Sequence, residues 1–117
     1  MKHKKFYDEL YKSVVYAVYG TADECEKWVK KKFNQELNID RFWQASCVEL
    51  LENEGYVVWL EDNKNFYALL HECVHLTGRI LKNMDVNKDL IKNDEHIAYY
   101  LEFWFRKLWR FFGNLKK

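Results

Sequence analysis

His71 and His75 stand four residues apart, with Glu72 directly after the first, in the stretch Ala68-Leu69-Leu70-His71-Glu72-Cys73-Val74-His75-Leu76. The flanking residues favour a helix, and helical positions four apart point the same way, about one turn from each other. Two imidazoles so placed can share one zinc ion. The glutamate is then free of ligand duty and sits where a base for a metal-activated water should sit. The chemistry expected is hydrolysis, most often of a peptide bond, with Glu72 as general base. Cys73 falls on the opposite side of such a helix from His71 and packs there as a small apolar residue.

A helix from about Asn65 to Met84 must carry this motif, with N-cap residues supplied by the polar loop before it. Its apolar stripe is Phe66, Leu69, Leu70, Cys73, Leu76, Ile80 and Met84, spaced three and four apart. The histidines lie on a different face from the centre of that stripe. Upstream, Ser13 to Tyr19 is β-branched and aromatic and stops at Gly20, which predicts a buried strand. Thr21 and Glu24 form a capping box for a helix through about Leu37, with Trp28, Val29 and Phe33 inward. Phe42 to Leu51 is a strand candidate with a helix as competitor. Glu52-Asn53-Glu54-Gly55 is a turn, and Tyr56 to Glu61 is a second strand, able to pair with the first as a hairpin. Residues 4–12 are a lead-in or the start of a strand. Residues 85–93 are polar and predict a loop. A last helix spans about Asp94 to Phe112, ended by Gly113-Asn114. The order predicts an α+β fold in a single domain over 1–117, a small mixed or antiparallel sheet with helices against one face.

The bulk numbers agree. A chain of 117 residues is one ordinary domain, and 49% apolar residues supply a core without staples. A net charge of +1 creates no global field for nucleic acid or a membrane surface, so neither is expected as a partner. Cys25, Cys47 and Cys73 are odd in number and form no Cys-x-x-Cys pair, which points to a reducing compartment. The basic start, Met1-Lys2-His3-Lys4-Lys5, leads into no apolar signal core, and no run approaches the length of a membrane span. A cytoplasmic location is expected.

A hydrolytic zinc site takes three protein ligands and keeps one position open. The extended motif His-Glu-x-x-His-x-x-Gly-x-x-His is met at Gly78 but has Leu81 where its third histidine belongs. Gly78 has another account, since it lies on the ligand side three residues after His75, where a side chain would crowd the metal. Residues 64–105 instead resemble the gluzincins, the thermolysin-like zinc peptidases, whose third ligand is a glutamate on the following helix. That resemblance implies zinc held by His71, His75 and Glu95. Tyr99 stands one turn after Glu95, where those enzymes often carry an acidic residue that orients a zinc histidine. The chain is also similar to short phage and prophage proteins with a minimal zincin core. That likeness lies in Val57-Val58-Trp59-Leu60-Glu61, Tyr67-Ala68-Leu69-Leu70 before the motif, and Glu95-His96-Ile97-Ala98-Tyr99-Tyr100-Leu101. It implies a zinc metallopeptidase acting on a peptide or protein. Thermolysin-like enzymes usually build the far wall of their cleft from a downstream domain, so a partner or second subunit is expected to complete it here.

The residues themselves leave several roles open. His96 competes with Glu95 as ligand, and Glu102 is a further candidate for ligand or support. Tyr99, Tyr100, His96 and Arg79 are candidates for the donor that stabilises a developing oxyanion. The strand Tyr56 to Glu61 is a candidate sheet edge for an extended substrate. In the C-terminal helix, Leu101, Trp104, Phe105, Leu108 and Phe112 make one stripe, and Phe103, Trp109 and Phe111 fall outside it. Such a helix is either buried on more than one side or offers a surface for a homodimer or protein partner. The alternative function is therefore a zinc-binding interaction protein without peptidase activity, using this aromatic helix.

Overall fold

The computed structural model describes residues 1–40, 42–84 and 94–116. Strands β1 (Lys2–Asp8), β2 (Ser13–Tyr19), β3 (Ala45–Glu49) and β4 (Tyr56–Leu60) form one sheet in the order β1-β2-β4-β3. The outer pairs are antiparallel, while β2 and β4 run parallel. Helices α1 (Ala22–Phe33), α2 (Phe66–Asn83) and α3 (Asp94–Gly113) complete the α+β fold, with a 3-10 turn at Leu51–Asn53. The stretch 85–93, expected as a loop, lies outside the described residues.

The sheet is covered on both faces, which corrects the expectation of helices on one face. All of β4 is buried, as are Val15 to Val18 of β2. Successive strand residues point to opposite faces, so both faces of the sheet centre are apolar and each must be covered. Val15, Ala17, Val58 and Leu60 pack with Leu69, Leu76 and Ile80 of α2 and Trp104, Leu108 and Phe112 of α3. Tyr16, Val18, Val57 and Trp59 pack with Cys25 and Val29 of α1.

Local chemistry sets the element ends. The Thr21–Glu24 capping box forms as read, and α1 stops at Phe33 because Asn34 takes the left-handed conformation (φ 54°). Of the two readings of residues 4–12, the strand is the one that forms: β1 starts at Lys2 and pairs with β2 from Lys2↔Tyr19 to Asp8↔Ser13. Buried Asp8 closes that hairpin by accepting from the amides of Leu10 and Tyr11, and it takes the hydroxyl of Tyr100 on α3. Gly55, at φ +119°, leads into β4. A Cβ there would stand 2.4 Å from the Val14 carbonyl oxygen, so no other residue fits.

β3 and β4 pair as expected, but β4 lies between β2 and β3. Tyr56 to Leu60 is therefore an interior strand, contrary to the reading of it as a substrate edge, and β3 is the open edge beside α2. Most rings of α3 are taken up on more than one flank, while Tyr99 and Phe103 stay exposed. Trp104, Leu108 and Phe112 are buried, Phe111 packs on Phe6, and Phe105 and Trp109 pack on Phe66. Among the described residues, no helix is long and apolar enough to cross a membrane.

Candidate metal centre

α2 begins at Asn65, whose side chain accepts from the amide of Ala68. The buried face of α2 is Leu69, Glu72, Cys73, Leu76, Thr77, Ile80 and Leu81. Phe66, Leu70 and Met84, three members of the expected stripe, are exposed. The helix is thus rotated so that its buried arc includes Glu72, while His71 and His75 stay in solvent.

The two imidazoles meet Nε2 to Nε2 at 3.2 Å. Zinc–nitrogen bonds of about 2.0–2.1 Å in a tetrahedron place two ligand nitrogens about 3.3 Å apart, so this pair suits one ion. A carboxylate oxygen of Glu72 joins them, with the three ligand atoms all within 4.8 Å of one another. Two imidazoles and a carboxylate are a donor set that zinc accepts. Among the described residues, no other histidine, cysteine, aspartate or glutamate belongs to this group.

These side chains open onto a cleft of about 640 Å³ between α2 and the β3 edge. Hydrogen bonds from Glu61 N–H to Gln44 O and from Leu50 N–H to Gly55 O mark the positions of β3 that face β4. By antiparallel alternation, the main-chain groups of Ala45, Cys47 and Glu49 point outward. The Glu72 carboxylate lies beside the Cys47 amide, which favours its charged form. Arg79, two turns further along α2, donates to the Cys47 carbonyl. Burial raises the Glu72 carboxyl above its usual range, against the opposing pull of His71, His75, Arg79 and the Cys47 amide. Burial also pushes the Cys47 thiol up to about 12, so in the metal-free protein it is a protonated wall residue at neutral pH.

The structure sorts the other expected residues. Glu95 is exposed on α3 and is not brought to the two histidines. The histidine face of α2 opens toward β3, whereas the start of α3 lies by the β1–β2 turn, where His96 bonds the Tyr11 hydroxyl. Tyr100 is committed to Asp8, Glu102 pairs with Arg106, and Tyr99 lines a small separate cavity beside Asp8. Of the oxyanion candidates, Arg79 is the one that lines the cleft. A Cβ at Gly78 would meet no protein atom within 4 Å. Phe42, Trp43 and Cys47 were not singled out as site residues, yet all three line the cleft. Two adjacent aromatics just ahead of a strand were the available signal. No protein-family model matches the chain, and no curated protein or solved structure is significantly similar to it.

Proposed function

We propose that this protein is a zinc-dependent hydrolase of peptide bonds in which His71 and His75 are two of the ligands that hold the ion and Glu72 is the general base. The observation that carries the reading is the 3.2 Å approach of the two Nε2 atoms, with the Glu72 carboxylate beside them in a cleft along an open strand edge. A bound zinc ion supplies a water of near-neutral pKa and polarises the carbonyl under attack. Glu72 takes the proton of the attacking water and returns it to the leaving nitrogen. The outward groups of Ala45 are placed to pair with an extended peptide. The resemblance to minimal zincins supports the same reading, although the role of Glu95 in that resemblance has no counterpart in the geometry.

One observation favours a second reading. Glu72 is the carboxylate that the fold brings to the histidines, and as a third ligand it would leave the site without a base. The protein would then bind zinc without hydrolysis, as an interaction module. Glu72→Gln separates the two. The first reading expects about one zinc per chain to be retained while peptide hydrolysis falls by about 10²-fold or more. The second expects weakened zinc binding. Failure of the parent protein to take up zinc sinks both.

A further inference from the structure

The cleft is unevenly open along β3. At Cys47 the outward carbonyl is occupied by Arg79, and the Glu72 carboxylate stands beside the amide. At Glu49 the carbonyl accepts from Gln35. Ala45 is the other outward residue of β3, and it lines the cleft beside Ala68 and the two histidines. Just ahead of it, Phe42 is 95% exposed and Trp43 is 57% exposed, and both line the same cleft. Large rings held in water next to convergent polar groups are what a binding cleft presents to an apolar ligand group. The opposite end is polar, walled by Arg79.

We propose that the cleft engages its peptide from one end only, through Ala45, with a large aromatic or aliphatic side chain seated on Phe42 and Trp43. Arg79 closes β3 at the Cys47 carbonyl, so main-chain pairing ends there and the side chain on the Phe42–Trp43 wall selects the bond. This rests on the peptidase reading above and names its substrate class: flexible segments with a large apolar residue next to the cut. Phe42 and Trp43 are specificity residues in this scheme, separate from the groups that handle the proton.

The test uses the zinc-loaded full chain and synthetic blocked peptides of one Gly/Ser-rich background, each carrying a single Phe, Leu, Ala, Asp or Lys. The parent is expected to cut the Phe and Leu peptides at least about tenfold faster in kcat/KM than the others, at a fixed offset from that residue. Phe42→Ser with Trp43→Ser should lose the preference, mainly through KM, with zinc content and melting temperature retained. If that pair melts early, Phe42→Ser alone serves, because so exposed a ring contributes little to folding, and it should still reduce the preference. Cleavage without apolar preference, or a preference that survives these substitutions, overturns the proposal and leaves the peptidase reading standing. No cleavage of any peptide by the zinc-loaded parent overturns that reading and this proposal with it.

Discussion

Arg79 donates a hydrogen bond to the main-chain carbonyl of Cys47, which ties the helix of the candidate site to the strand that walls its cleft. The Glu72 carboxylate stands beside the amide of the same residue, so two side chains of α2 converge on one residue of the sheet edge. The helix that carries the histidines and the open strand beside it are thereby joined at the candidate site.

Burial raises the Glu72 carboxyl in the metal-free protein. The folded value lies above the unfolded one, so protonated Glu72 favours the fold. That contribution is full below the usual carboxylate range and is lost as pH rises through the raised value. Glu72→Gln stays neutral throughout. Chelated Glu72→Gln should melt above the chelated parent at about pH 8, and the gap should close near pH 4. Thermal unfolding of both proteins at the two pH values checks this, and a lower melting point for the variant at the higher pH contradicts it.

Zinc should stabilise the folded chain by mass action, by about 2.7 kcal/mol at a free concentration of a hundred times Kd. For a domain of this size that raises the melting temperature by several degrees. His71→Ala and His75→Ala should each abolish most of the rise. Both side chains are exposed, so the metal-free variants should melt with the parent. Calorimetry with and without zinc distinguishes this from a general loss of stability.

The placement of α3 predicts that Glu95→Gln leaves zinc affinity unchanged, and that Tyr100→Phe does so too while lowering stability. Tyr100 donates to buried Asp8, and losing one donor to such a carboxylate costs about 1.5–3 kcal/mol. Zinc titration and denaturant unfolding read the two effects separately. A large loss of zinc affinity in Glu95→Gln would restore the third-ligand assignment made from the resemblance.

Gly78 sits within α2 with open space where a Cβ would go. Gly78→Ala should therefore stabilise the protein by about 0.5–1 kcal/mol through helix propensity, with zinc binding unaltered. A destabilised variant, or one with weakened zinc binding, would show that the glycine serves the site after all.

The helices, the hairpin partners β3 and β4, the buried strand β2 and the histidine pair were legible in the sequence, because each rests on spacing or capping within one short segment. Asn65 and Thr21 start their helices as their side chains dictate, and His71 and His75 share a helix face by periodicity alone. Tertiary structure decided the rest. The parallel pairing of β2 with β4 buries the strand that read as an edge and turns β3 outward, and such long-range pairing has no local signature. Docking of α2 then chose which arc of the helix is buried, bringing Glu72 onto Cys47 and turning the histidines away from α3 and Glu95. Sequence spacing set which residues share a face of α2, and the packing of that helix on the sheet set what the face meets.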